Sequence, residues 1–254
     1  MWSDPVLTDW WQREFTDGVD PEYTEQIIPL IMAAIDTVEP AGAQRRVLDI
    51  GTGEGQVARA LASRGSEVVG VDPFAAQIET AVQRAGGPAY GLAAAAGLPF
   101  VDASFDAAVA CLVFEHIDEV DEAINEVARV VRPGGHFVFL LNHPLLQTPG
   151  SGWIDDQIID PPEQYWRIGP YLDEAATIEE VQKNVFVRFI HRPLSRYVNA
   201  LADAGLVLHR MLEPAPPAGF LAIAPEYTEA ATVPRLLVLH TRRQPDPSTS
   251  STGV

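Results

Sequence analysis

The chain has 254 residues, 47% of them hydrophobic, enough to bury a full core as one domain with appendages. Its 35 acidic side chains against 17 basic ones leave a formal charge of −18. A polyanion is repelled over most of such a surface, and no Lys/Arg-rich stretch makes a local exception, so nucleic acid is not the expected partner. The one cysteine, Cys111, excludes a disulfide within the chain; it sits in an apolar run that reads as core and fits a reducing cytoplasm. Met1-Trp-Ser-Asp-Pro lacks the pattern of a secretory signal, and no apolar run reaches the roughly 18 residues of a membrane span. A cytoplasmic protein without a membrane partner is expected.

Taken in order, residues 4 to 38 predict two helices broken near Gly18 to Pro21, with Asp20 capping the second and Pro21 at its first position. Trp10, Trp11 and Phe15 in the first piece pack against the body of the protein or form part of a lid. Arg46-Val-Leu-Asp-Ile is a short buried strand that breaks off at Gly51, Gly53 and Gly55; from Val57 the apolar spacing is helical. The glycines therefore occupy a strand-to-helix turn, where a ligand can approach the backbone and unpaired N–H groups. A second strand, Glu67-Val-Val-Gly-Val, closes on Asp72. In a right-handed βαβ unit that acid ends beside the glycine turn, able to accept hydrogen bonds from a ribose diol. Further strands at 88–92, 106–112 and 135–142 alternate with helices at 74–85 and 119–131, which implies a mostly parallel sheet covered on both faces.

A dinucleotide fingerprint needs Gly-x-Gly-x-x-Gly, but here Gly51-Thr52-Gly53-Glu54-Gly55 brings its third glycine one place early. That spacing after Asp49 resembles the first motif of the class I S-adenosylmethionine-dependent methyltransferases of small-molecule type. Leu98-Pro-Phe with Ser104-Phe-Asp, Glu115-His116-Ile117 and Arg132-Pro-Gly-Gly also resemble that family's later motifs. The resemblance implies a Rossmann-like, seven-stranded, mostly parallel α/β sheet with helices on both faces, an N-terminal helical cap over 1–40 and an insertion over 143–192 after the fifth strand. It implies one methyltransferase domain over 1–243, and the polar, repetitive, Pro-containing 244–254 reads as a disordered tail. The implied cofactor is S-adenosylmethionine, leaving as S-adenosylhomocysteine, held by Asp49, Gly51, Gly53, Gly55 and Asp72. Pro73, Phe74 and Gln77 are implied beside the adenine, Leu112 through its carbonyl, and His116 in the pocket wall. An acid that meets the adenine amino group in the family falls near Ala94, where alanine cannot replace it; backbone groups of Ala94 and Ala95 are the expected substitutes.

Residues 143–178 break the periodicity and mix Trp153, Tyr165, Trp166 and Tyr171 with scattered acids, suited to a polar, glycosidic or cationic acceptor. A strand at 185–191, a helix from Leu194 to Ala204 and strands at 206–212 and 235–241, the last antiparallel, complete the chain; the Pro-rich 214–225 reads as a loop. Methyl transfer needs alignment and, for a hydroxyl acceptor, a base. His143 and His191 are the candidate catalytic bases, with Glu213 a third; a carbon or soft amine acceptor needs none. The acids form no compact ligand cluster, so no metal is expected. The leading expectation is methyl transfer to oxygen or nitrogen of a small-molecule acceptor, such as a secondary metabolite or sugar. The rivals are a binding protein that has lost transfer activity and, less favoured by the glycine spacing, an NAD-dependent oxidoreductase.

Overall fold

The computed structural model describes residues 5–16, 18–224 and 229–245, so most of the expected tail lies outside the described residues. The chain opens with α1 (Pro5–Phe15). After a turn, Asp20 begins the second helical piece as expected: its Oδ1 accepts the Glu22 N–H at 2.8 Å. That piece is not regular. Tyr23–Ile27 widens into a π turn before α2 (Ile28–Ile35), a distortion that often accompanies a functional side chain.

The sheet is assembled from β1 (Arg46–Ile50), β2 (Glu67–Asp72), β3 (Ala89–Leu92), β4 (Phe105–Cys111) and β5 (Val131–Asn142). Helices α3 (Gln56–Ser63), α4 (Ala75–Arg84) and α5 (Val120–Val130) connect them. Beyond the short α6 (Pro144–Gln147) come β6 (Gly152–Asp156), β7 (Glu163–Arg167), β8 (Ala175–Gln182) and β9 (Val185–His191). The chain closes with α7 (Leu194–Asp203), β10 (Leu206–Leu212), α8 (Ala218–Ile223) and β11 (Leu236–Arg243). The seven-stranded sheet runs β10-β11-β5-β4-β1-β2-β3. All neighbours are parallel except β11, which is antiparallel to both β5 and β10. The order reverses between β1 and β4, and ligand sites form outside the strand ends at such a reversal. Among the described residues no helix is long and apolar enough to cross a membrane.

Both faces of the sheet are buried because the central strands are apolar at nearly every position. Leu48, Ile50, Ala108, Phe137 and Phe139 face α5 and α7, while Val47, Val109, Val138 and Leu140 face α2 and α3. The alanines of β4 leave room for the stacked rings of Phe137 and Phe139. Phe139→Ala would cost about 3–5 kcal/mol.

Three expectations need correction. Residues 143–178 are not irregular: β6 pairs with β7, and β8 with β9, as two antiparallel hairpins outside the main sheet. Only a few of their side chains are buried, so the alternation that marks a strand is weak. The turn Lys183–Asn184, with Asn184 at φ +64°, was the legible hairpin signal. The fifth strand, expected to start at 135, starts at Val131, and the Arg132-Pro-Gly-Gly motif is a bulge inside it, since Phe105 pairs with Val131 and Ala107 with His136. The Pro-rich loop after β10 contains the short helix α8.

Candidate active site

The first strand ends where the glycines begin, and their backbone geometry explains the residue type. Gly51 has φ +66°, and a Cβ there would meet the Val113 side chain at 2.5 Å; Gly55 has φ +88° and would drive a Cβ into the Tyr90 ring. Asp49 lies beneath the loop and accepts the Thr52 hydroxyl at 2.7 Å. Register places Asp49 opposite Gly70 and Ile50 opposite Val71, so Asp72 is delivered to the loop. Its Oδ2 accepts the Gly53 N–H at 3.1 Å and its Oδ1 the Phe74 N–H at 2.9 Å. Each oxygen keeps a lone pair for a further donor. Burial pushes the Asp72 carboxyl up to about 6 and that of Asp49 up to about 7, against the bonds from Gly53, Phe74 and Thr52.

A cavity of about 200 Å³ opens above this turn. Gly51, Gly53, Asp49 and Asp72 form one side; Pro73, Phe74 and Gln77 continue it; Leu112, Val113, His116 and Ile117 close the other. Trp11 and Tyr23 from the N-terminal helices supply the remaining wall. Among the described residues no Lys or Arg lines this cavity, whereas Asp49, Glu54 and Asp72 do. Leu112 holds φ +56°, costly for a branched side chain, and its N–H is bonded to the Leu140 carbonyl at 2.9 Å. Helix α1 is tied down over the cavity: Gln12 reaches Gln77 and Thr80 on α4, Gln56 reaches the Phe15 carbonyl, and Arg84 reaches Thr16.

A second cavity of about 310 Å³ adjoins the first, sharing Trp11, Tyr23, Leu112 and His116 with it. Its other walls come from α1, from the start of the second helical piece and from β9, whose Phe189, like Trp10, packs against the cluster of Leu7, Val185 and Val187. Asn142, at the end of β5, also lines it and donates through Nδ2 to Glu115 Oε1 at 2.9 Å.

Nine of the expected site residues therefore share one cavity: Asp49, Gly51, Gly53, Asp72, Pro73, Phe74, Gln77, Leu112 and His116. Gly55 lies behind the turn against Tyr90, Ala95 packs into the core, and Ala94 is exposed; none of the three lines the cavity. The two candidate bases line neither cavity. His143, 5% exposed, caps α6 by accepting the Leu145 N–H at Nδ1, and its Nε2 donates to Glu213 at 2.9 Å. His191, 2% exposed, donates from Nε2 to the Tyr171 carbonyl at 2.8 Å. Glu213 is occupied by His143. Cys111, half-buried, packs against the core as expected and also lines the cavity wall, and burial pushes its thiol well up, which leaves it un-nucleophilic. Sequence reasoning missed Tyr23 and the wall formed by Asp20, Glu22 and Arg235, because only the folded N-terminal segment brings them to the sheet edge. The density of aromatics around Trp11 was the one available signal. Among the described residues no three His, Cys, Asp or Glu side chains form a metal-binding group.

Residues 48–139 match the methyltransferase domain family. An uncharacterized methyltransferase of Mycobacterium sp. (strain JLS) is 39% identical over 121 residues, which is 48% of this chain and 47% of the relative. An O-methyltransferase of Aspergillus sclerotiorum is 38% identical over 136 residues, 51% of this chain and 50% of its own length. The chain thus spans about half the length of the curated relatives it matches. Among solved structures, an S-adenosylmethionine-dependent methyltransferase from Mesorhizobium loti superposes with a TM-score of 0.70 at 26% identity, covering 84% of this chain and 96% of that one. The matched stretch runs from β1 to β5 and holds the glycine turn and Asp72, and the fold is the Rossmann-like fold of the class I S-adenosylmethionine-dependent methyltransferases.

Proposed function

We propose that the protein transfers a methyl group from S-adenosylmethionine to oxygen or nitrogen of a small-molecule acceptor. The observation that carries this reading is the charge of the first cavity. Among the described residues no Lys or Arg lines it, while Asp49 and Asp72 do, the charge of Glu54 being met by Arg59 and Arg84; this suits a sulfonium better than the pyrophosphate of a dinucleotide. This disfavours the NAD reading on grounds independent of glycine spacing.

The residues present suit the nucleoside. Asp72 has lone pairs to accept a ribose diol, Gly51 and Gly53 allow close approach, and Phe74, Val113 and Ile117 provide apolar surface for a purine. When bound, the sulfonium supplies an already activated methyl group, so the protein's own work is alignment and exclusion of water. Trp11 and the bonds that hold α1 serve that exclusion. The second cavity, next to the first and walled by the insertion and the N-terminal helices, supports a small acceptor. The protein's charge disfavours an anionic macromolecular one. The test is calorimetric titration with S-adenosylhomocysteine, followed by an acceptor screen read as S-adenosylhomocysteine formation. Absence of binding rejects the reading; binding without turnover on any acceptor favours a protein that has kept the nucleoside site and lost transfer.

A further inference from the structure

We propose, resting on the methyltransferase reading above, that the second cavity takes an acceptor bearing a protonated amine. Asp20 is the residue that selects it, holding the ammonium away from the atom that receives the methyl group.

Asp20 reaches the cavity with one oxygen to spare. It is 8% exposed and lines the second cavity. Its Oδ1 accepts the Glu22 N–H at 2.8 Å, which is all that its capping role requires, and among the described residues Oδ2 has no hydrogen-bond partner. Burial lifts the carboxyl to about 6, against the pull of the Glu22 N–H and of Arg235, so at neutral pH it is mainly ionised. A buried carboxylate that is only half satisfied draws a cationic donor. Arg235 is spent elsewhere: its guanidinium is paired with Glu22 at 3.1 Å and lies over the Phe220 ring.

The remaining walls agree. Among the described residues Arg235 is the only Lys or Arg in the lining, whereas Glu179 adds a further acid at the exposed rim. Asn142 spends Nδ2 on Glu115 Oε1 at 2.9 Å, which leaves its acceptor oxygen for the cavity. Trp10, Phe15 and Phe189 bring ring surface, which favours a cation over an anion. An anionic acceptor would meet Asp20 and Glu179 with an arginine already paired, and a neutral alcohol would leave the Asp20 charge uncompensated.

Position decides what the amine does. The two cavities meet at Trp11, Tyr23, Leu112 and His116, whereas Asp20 lines the second alone. The ammonium is therefore a handle for recognition. The methylated atom is carried on the other end of the acceptor, at the junction.

The experiment is calorimetry on the full chain saturated with S-adenosylhomocysteine, with phenylethylamine, phenylethanol and phenylacetate as probes that share a ring and differ in charge. The amine is expected to bind at least about tenfold more tightly than the alcohol, and the acid more weakly than both. Asp20→Asn keeps the cap, since asparagine serves it as well as aspartate, but removes the charge. That variant is expected to bind the amine at least about tenfold more weakly and the alcohol within about threefold of wild type, a split that a purely structural role would not produce. Asp20→Ser, which also caps, should repeat it. Binding of S-adenosylhomocysteine, whose cavity Asp20 does not line, reports the fold of each variant. In the wild type, an amine that binds no better than the alcohol or the acid overturns the proposal, as does an amine preference that survives in a folded Asp20→Asn variant. Were both variants to misfold, the wild-type series decides alone. If the wild type binds S-adenosylhomocysteine but no amine, this proposal alone fails; if it binds no S-adenosylhomocysteine, the methyltransferase reading fails with it.

Discussion

Asp72 accepts the Gly53 N–H at 3.1 Å, so the acid that ends the second strand clamps the glycine turn that follows the first. One side chain thereby shapes the loop and faces the first cavity. Asp72→Ala should weaken S-adenosylhomocysteine binding by on the order of 2 kcal/mol, because charge-assisted bonds are lost. Calorimetry checks this, and undiminished affinity would take Asp72 out of the ribose contact.

The same carboxyl should make binding pH-dependent. Burial lifts it to about 6, and its ionised form accepts more strongly from both Gly53 and a ribose hydroxyl. Ligand binding thus favours the form that has lost its proton, so affinity for S-adenosylhomocysteine should rise as pH increases through about 6 and fall below it. Buried Asp49, lifted to about 7, adds in the same direction if the cationic end of the ligand lies near it. Asp72→Asn should flatten the lower part of the profile; an equally steep profile in that variant would assign the dependence elsewhere.

Gly55 tests the turn without touching the cavity. Alanine there must adopt φ +88° and force its Cβ into the Tyr90 ring, so Gly55→Ala should lower stability by about 2 kcal/mol or more in urea unfolding. A variant as stable as wild type would mean that the turn relaxes freely.

Glu54, 1% exposed, receives Arg59 Nη2 and Arg84 Nη1 on one oxygen, each at 2.7 Å, and Arg84 also bonds Thr16. The acid therefore joins the glycine turn to α3, α4 and, through Thr16, to the end of α1. Removing one partner of a fully buried pair costs about 3–5 kcal/mol. Both arginines keep some exposure, so Glu54→Gln should cost about 2 kcal/mol and speed amide exchange in α1. Unaltered exchange there would argue against this tie.

His136 Nδ1 and His240 Nε2 are 2.7 Å apart, a contact that requires one nitrogen with a proton and one without. Burial, together with nearby cationic side chains, pushes both rings down to about 4. Their folded values lie below the usual 6.5, so the unfolded chain binds more protons between those limits. The pair should therefore withdraw stability as pH falls from about 6.5 to about 4. Asp49 and Asp72, raised by folding, act in the opposite sense, losing stability as pH rises through about 6 and 7. Urea unfolding of wild type minus the His136→Phe/His240→Leu double variant isolates the pair; a difference independent of pH would reject it.

Much of the fold could be read from residue order because short-range chemistry carried it. The apolar runs ending at Ile50 and Asp72, the early third glycine and Asp20 before Pro21 each act through neighbours a few residues away. Of the two hairpins of the insertion, β9 was legible at 185–191 because its buried and exposed positions alternate, whereas β6, β7 and β8 escaped because their side chains are mostly exposed or half-buried. His143 and His191 misled for a different reason. Each sits beside a strand end, but what a histidine can do depends on which atoms meet its two nitrogens, and those partners, Glu213 and the Tyr171 carbonyl, are distant in sequence.

Residue order alone determined the parallel sheet, the glycine turn and the acid beside it, since periodicity and backbone freedom are local properties. Tertiary packing alone decided that His143 and His191 stay outside the cavities, that Tyr23 walls them, and that Ala95 belongs to the core. A side chain's environment is set by long-range contacts between elements, and these exist only once the chain has closed on itself.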